Sequence, residues 1–381
     1  MSFFDHRLRY ELTRKMLLHN RLTRRQIAEA FGLSMPAVTR HVRWLEDNDL
    51  VTLKRVRMPN VKRPVETLHL QGTRATGLTA LLHADHIDCE IIAANGQPLK
   101  QIQQPLAERT QRGVADALRL AVREARTFGQ QISQALDTVA IGIHGFMEPT
   151  NGMIFAIRGF PDWEPCLLGQ VIDEMHGLAV VPTTSVACKL FGLSTRLRED
   201  DRIGFIEKSD GMLAIASLRA GSLELGRFGT ASSAVHVRVS DSPRRCYCGK
   251  NGCLDEHLRV GDATDQMLLT ALPHILKTLQ VTTLGLDLEG VGDAAAEICR
   301  ANGVPTIHLC PSDDELARQG LRIVCARTIL QRLVDRTRPI VRREIVNPSA
   351  FRSESLDASR PHVNKSNTRK GKVYSTVWEE S

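Results

Sequence analysis

The sequence predicts a mixed α/β protein with an N-terminal winged helix-turn-helix. Three observations predict it. Capped helical stretches around a glycine turn fill the first 50 residues, basic charge concentrates in the first 70, and from about residue 76 apolar strands alternate with amphipathic helices. The chain has 381 residues, too many for one ordinary core, so two or three domains are expected. Its net charge of +7 comes from 50 Lys and Arg against 43 Asp and Glu. Residues 1–70 hold 14 of the basic and 7 of the acidic side chains; the rest holds 36 of each and is neutral. A small basic module on a neutral body is the pattern of a phosphate-seeking domain. No apolar run reaches the roughly 18 residues that span a bilayer. With no signal-peptide core at Met-Ser-Phe-Phe-Asp-His-Arg either, the expected setting is cytoplasmic.

In the head, Arg7 to Asn20 carries Leu8, Leu12, Met16 and Leu17 near helical spacing. Thr23 and Gln26 form a capping box that starts a second helix over Arg24 to Phe31, and Gly32 can take the left-handed conformation that ends it. Ser34 caps a third helix with Pro36 in its first turn, and Val38, Val42 and Leu45 form its buried stripe. The residues left to meet base edges are Ser34, Met35, Ala37, Thr39, Arg40 and Arg43, since the second helix of such a pair enters the major groove by its N-terminal end. Two β-rich runs, Val51 to Val56 and Val65 to Leu70, flank Lys54, Arg55, Arg57, Lys62 and Arg63. That is a wing, whose cations can grip phosphates beside the recognition helix. The implied partner is double-stranded DNA.

In the body, Leu78 to Ile92 reads as one strand, turned at Asn95-Gly96 into Leu99 to Ile102. Val114 to Phe128 is an amphipathic helix, Thr138 to His144 a buried strand running into Gly145, and Val180-Val181 a short strand. Ile203 to Ile206 and Met212 to Leu218 suggest a further hairpin. His83 and His86, three apart on a predicted strand, are expected on opposite faces. The basic residues from Arg332 to Arg343 read as a solvated helix face, and from about Asn347 the polar chain reads as a disordered tail. No repeat is evident at a fixed short period.

Cys246-Tyr-Cys248-Gly249-Lys-Asn-Gly252-Cys253 gathers three of the nine cysteines, and its glycines let a short loop fold back so that the sulfurs converge. With His236 upstream they make a Cys₃His set suited to tetrahedral zinc. The other cysteines, at 89, 166, 188, 299, 310 and 325, are scattered singly, which disfavours a disulfide framework and suits small buried apolar residues.

A basic winged helix-turn-helix followed by an α/β body with this cysteine motif resembles the ROK family, and within it the repressor branch of the glucose and N-acetylglucosamine uptake regulators. The resemblance covers about residues 8–330. Gly142-Ile-His144-Gly145 is similar to the family's Gly-x-Pro-Gly turn, and Gly159-Phe-Pro161-Asp-Trp163 to its Leu-Pro-Gly-Trp segment. The resemblance implies an actin-like, ribonuclease-H-type pair of α/β lobes with a sugar cleft between them, which the zinc helps to shape.

The departures from the family pattern concern chemistry. Where family kinases carry a glycine-bearing phosphate loop, Leu81 to Asp88 has no glycine. The kinase general base falls on Thr184, beside Thr183, and a hydroxyl cannot take a sugar proton near neutral pH. The adenosine-side Gly-Gly turn is Asp287-Leu288-Glu289-Gly290. The family's sugar-binding Glu is Ser233, and the Glu after the last cysteine is Asp255. His144 and Arg158, near the implied cleft, would suit an anion.

The expectation is therefore a non-enzymatic, dimeric or tetrameric repressor of carbohydrate uptake or metabolism genes, with structural zinc. Its gate would be a sugar, a sugar phosphate or a protein partner. A ROK-type sugar kinase and an effector-independent DNA binder on a degenerate kinase-like scaffold stay open as alternatives. The expected segments are 1–72 for the head, 73–185 for the first lobe, 186–340 for the second lobe with the zinc loop, and 341–381 for the tail.

Overall fold

The computed structural model describes residues 3–19, 21–57, 63–148, 151–197, 202–209, 212–224, 234–246, 248–288, 290–308 and 314–336. The expected tail lies outside these residues, as do Lys62, Ser233 and Cys310.

The head opens with α1 (Phe3–His19), which starts before the expected Arg7. Asp5 lies in its first turn, where a carboxylate meets the positive end of the helix dipole. Helix α2 (Arg24–Phe31) has the expected capping box: the Gln26 N–H donates to the Thr23 hydroxyl at 3.1 Å, and the Thr23 N–H donates to Gln26 Oε1 at 2.8 Å. Gly32 ends it at φ 61°. Helix α3 (Met35–Asp47) begins after Ser34, but the Ser34 hydroxyl makes no capping bond, contrary to expectation. Pro36 presets the first turn instead. Strands β1 (Val51–Val56) and β2 (Val65–Leu70) pair antiparallel, with Val51 opposite Leu70 and Val56 opposite Val65.

The body holds two five-stranded sheets. The first contains β3 (Thr76–Leu82), β4 (His86–Ala93) and β5 (Pro98–Pro105), then, after α4 (Gln111–Gln131), β6 (Leu136–Ile143). A small hairpin, β7 (Gly145–Met147) with β8 (Ile154–Ile157), and the short α5 (Leu168–Val171) precede its last strand, β9 (Ala179–Thr184). Helix α6 (Ser185–Ser194) leads to β10 (Ile203–Ser209), β11 (Met212–Arg219) and β12 (Ser222–Leu223) of the second sheet. Then come α7 (Leu254–Val260), α8 (Asp265–Leu279), β13 (Thr283–Leu288), α9 (Gly292–Ala301), β14 (Thr306–His308) and α10 (Asp314–Arg336).

Strand order is β5-β4-β3-β6-β9 in one sheet and β12-β11-β10-β13-β14 in the other. Each is an antiparallel three-strand meander whose first strand continues into two parallel neighbours. The body is thus one topology used twice, although no repeat is legible in the residues.

The run expected as a single strand over Leu78 to Ile92 is two strands, β3 and β4, reversed at His83 to Asp85. The signal was weak because that turn uses no glycine, proline or asparagine. Side chains alternate along β3 as a pleat requires: Leu78, Ala80 and Leu82 join α4's Val114, Leu118 and Ala121, while Leu81 joins Leu321, Cys325 and Ile329 of α10.

Helix α10 returns to the first sheet and crosses α6 at two glycines. A Cβ on Gly320 would lie 1.7 Å from the Cys188 carbonyl oxygen, and one on Gly192 2.2 Å from that of Leu316. Arg332 is not a merely solvated residue, because its Nε lies 3.1 Å from Oδ1 of buried Asp137, which Arg336 also engages. Gly320→Ala should therefore lower unfolding stability by about 3 kcal/mol or prevent folding, since neither backbone can yield. Urea unfolding followed by circular dichroism checks this; a change within about 0.5 kcal/mol, the range of neutral surface substitutions, contradicts it.

Candidate functional site

The head presents one basic face. Val38, His41, Val42 and Leu45 of α3 are buried, which turns Met35, Thr39, Arg40 and Arg43 outward; Ala37 is half-buried and Ser34 exposed. The α3 helix is held from behind: the Arg9 guanidinium stacks 3.9 Å from the Trp44 ring centroid, and Asp5 lies 3.8 Å from His41 Nε2 and 4.0 Å from an Arg40 nitrogen. Burial, helped by the Arg9 and Arg40 charges, pushes the His41 imidazole down, so the neutral ring suits this packing. On the wing, Lys54, Arg55, Arg57 and Arg63 are exposed. Arg24 of α2 pairs with Glu66 of β2, and Leu22 and Leu68 exchange backbone hydrogen bonds, so wing and helices form one surface.

The cysteine loop brings its expected ligands together. Cys246 Sγ lies 3.4 Å from His236 Nδ1, Cys248 Sγ lies 3.6 Å from Cys253 Sγ, and the four ligand atoms fall within 4.8 Å of one another. A tetrahedral ion with bonds of about 2.3 Å to sulfur and 2.0–2.1 Å to nitrogen spaces its ligands about 3.5–3.8 Å apart, so this donor set fits and could hold a metal. Burial pushes the Cys253 thiol up to about 12, and a cation is what would let these thiols ionise near neutrality.

Glycine makes the loop feasible. Gly252 has φ 67°, and a Cβ there would sit 2.1 Å from the Ser240 carbonyl oxygen. Ser240 Oγ is 2.6 Å from His257 Nε2, whose ring carries on to Asp262 Oδ1 at 2.8 Å, a polar brace behind the ligands. Asp255 stands at this cluster, Oδ2 3.8 Å from Cys246 Sγ, and burial raises its carboxyl.

The remaining cleft candidates cluster elsewhere. β6 and β9 pair Gly142 with Thr183 and Ile143 with Thr184, which sets His144 just beyond the ends of both strands. The Arg158 N–H donates to the His144 carbonyl at 2.7 Å. Burial pushes the His144 imidazole down, opposed by Glu207, whose Oε1 is 3.9 Å from Nδ1.

Beside them lies a buried ionic cluster that the sequence reading missed. Lys189 Nζ donates to Glu207 Oε1 at 2.8 Å and to Asp287 Oδ2 at 2.5 Å, and Ser185 Oγ donates to Glu207 Oε2 at 2.9 Å. It joins α6 to two strands of the second sheet. Burial pulls the ammonium down, yet the two carboxylates outweigh it and its pKa stands above the ordinary lysine value. A lone lysine among Val186, Ala187, Cys188, Leu190, Phe191 and Leu193 was the available signal, because such a charge is buried only with partners.

A winged helix-turn-helix DNA-binding family model matches residues 16–52, and the ROK family model matches residues 82–268. The chain carries a ROK family domain. Its relatives include the DNA-binding transcriptional repressor Mlc of Escherichia coli K12, 28% identical over 137 residues, which are 33% of this chain and 31% of that protein. The DNA-binding transcriptional dual regulator NagC of the same strain is 24% identical over 267 residues, 66% of this chain and 62% of that one. The matched regions thus span less than two thirds of either relative. A crystal structure of a ROK family transcriptional regulator, homologous to the E. coli Mlc protein, shares the fold with a TM-score of 0.59 at 15% identity, covering 87% of this chain and 100% of that one. A ROK hexokinase from Thermus thermophilus reaches 0.49 over 66% of this chain.

Two outcomes follow for the ROK domain. Cobalt substitution should give intense thiolate-to-metal charge-transfer absorption that Cys253→Ser and Cys246→Ser weaken strongly; equal absorption in all three proteins contradicts the cluster. Lys189→Met leaves Glu207 and Asp287 buried without their cation and should cost about 3–5 kcal/mol at pH 7. The deficit should shrink as pH falls toward about 5, because protonation then removes the uncompensated charge. Denaturant unfolding at both pH values checks the sign, and a deficit that grows on acidification contradicts it.

Proposed function

We propose that this protein is a DNA-binding transcriptional regulator of the ROK repressor type, acting on carbohydrate uptake or metabolism genes. The observation that carries the reading is the exposed Thr39, Arg40 and Arg43 on the outward face of α3, flanked by the basic wing. A guanidinium fork matches the O6 and N7 of guanine, so Arg40 and Arg43 would read sequence while Lys54, Arg55, Arg57 and Arg63 position the duplex. Ser34, with a hydroxyl free of capping duty, suits a phosphate contact at the helix N-terminus, beside Met35 and Ala37. Lys62 belongs to the same wing in sequence. The protein would act as a homodimer or tetramer, placing two heads on a pseudo-palindromic operator.

In this reading the Cys₃His cluster holds zinc as a structural brace, and the body is a sensor rather than an enzyme. Thr184 cannot serve as a general base, and Lys189, Glu207 and Asp287 spend their charges on one another. The gate would be a sugar, a sugar phosphate or a protein partner engaging His144, Arg158, Thr183, Thr184, Ser233 or Asp255. Such a ligand moves the equilibrium only if it binds one arrangement of the heads better than the other.

Selection of bound fragments from genomic DNA, followed by gel-shift titration, tests the function. Arg40→Ala and Arg43→Ala should each cost about 1–3 kcal/mol and relax sequence preference; Lys54→Ala and Arg57→Ala should weaken all sequences alike and lower the salt slope by about 1 each. Unchanged affinity in all four variants contradicts the assignment. A coupled phosphorylation assay across hexoses and amino sugars should stay at background, and turnover there would favour a kinase.

A further inference from the structure

A second group of ligating side chains converges on the first sheet, away from the cysteine loop. Because β3 ends at Leu82 and β4 begins at His86, His83 and His86 flank a tight turn and do not point to opposite faces of one strand. The His83 N–H donates to the His86 carbonyl at 3.0 Å, and the two imidazoles stack with centroids 4.5 Å apart and planes 16° from parallel. His83 Nε2 lies 3.5 Å from Asp88 Oδ2, and His86 Nε2 lies 3.4 Å from Asp88 Oδ1. One ligand atom from each of the three falls within 4.8 Å of the others.

Two details suit this group to a metal ion. His86 Nδ1 is 2.7 Å from Asp85 Oδ1, a hydrogen bond that in the neutral ring keeps the proton on Nδ1 and leaves the Nε2 lone pair facing Asp88. In that singly protonated ring two acceptors confront each other at 3.4 Å, a contact that a second ring proton or a bound metal ion would relieve. His83 Nε2 is also buried with no hydrogen-bond partner. Ligands placed tetrahedrally around an ion with bonds of about 2.0–2.2 Å sit about 3.4 Å apart, close to the 3.4 and 3.5 Å separations here, and the two stacked rings need to turn out of parallel for both Nε2 atoms to meet one ion. A carboxylate behind a ligating imidazole is the usual outer-shell support of a metal-bound histidine, and Asp85 occupies that place. Arg318 of α10, 3.3 Å from Asp88 Oδ2, holds the third ligand in position.

We infer that His83, His86 and Asp88 form a second metal site, sulfur-free, for a divalent first-row transition ion of the Zn²⁺ or Co²⁺ kind. Three protein ligands leave at least one coordination position for an atom from solution. The site stands independently of the DNA reading.

The test uses the full chain with its cysteine cluster filled with zinc, titrated with Co²⁺. The wild type should bind one further equivalent per chain, with weak ligand-field absorption and no thiolate charge transfer. His83→Gln/His86→Gln should lose that equivalent while keeping its thiolate-bound zinc and its circular dichroism spectrum. Asp85→Asn should weaken binding about tenfold or more through the loss of outer-shell support. In the cobalt-loaded wild type, paramagnetically shifted resonances from two imidazoles should appear, a readout that needs no variant to fold. No further equivalent in the wild type, an undiminished one in the double variant, or no shifted imidazole pair overturns the inference.

Discussion

The structure turns on the crossing of α6 and α10. At Gly192 and Gly320 the two helix backbones approach until only hydrogen fits. Helix α6 leads out of the first sheet and carries Lys189 to the carboxylates of the second. Helix α10 lies on the first sheet and pins three of its carboxylates: Arg318 to Asp88, Arg322 to Glu90, and Arg332 with Arg336 to Asp137. Glu90 and Asp137 are buried, so removing their partners would strand charge in the core.

The same helix reaches the head. Leu12 and Met16 of α1, with Ile27 and Leu45 behind them, belong to one continuous apolar cluster with Leu321, Ala326, Ile329 and Leu333 of α10. A head joined only by a flexible linker could report nothing about the body. A head that shares its core with the body's last helix makes any rearrangement of α6 against α10 a packing event at α1 as well, and packed interfaces shift between discrete arrangements rather than deform smoothly. That is a physical route by which a rearrangement in the body reaches the head.

Much of this was legible in the residues. Capping residues and a left-handed glycine leave local marks, so α2 and both wing strands fall where the residue pattern placed them. The cysteine loop is legible because thiol spacing and glycine positions are themselves the geometry. The turn at His83 to Asp85 was not, since Asp85 is its one turn-favouring residue and no glycine, proline or asparagine marks it, and with it went the convergence of His83, His86 and Asp88. The duplicated sheet topology was not legible either, because hydrogen-bond order can repeat while side chains diverge. The return of α10 to the first sheet, and the partners of Lys189, are long-range pairings that no local pattern encodes.

Head and body share one apolar core through α1 and α10, and a shared core should open as one cooperative unit. Amide hydrogen exchange across the full-length chain measures it directly, because helices of one cooperative unit open together. The centres of α1 and α10 should exchange at matching, slow rates. Fast exchange through α1, in step with the wing while α10 stays protected, would contradict it.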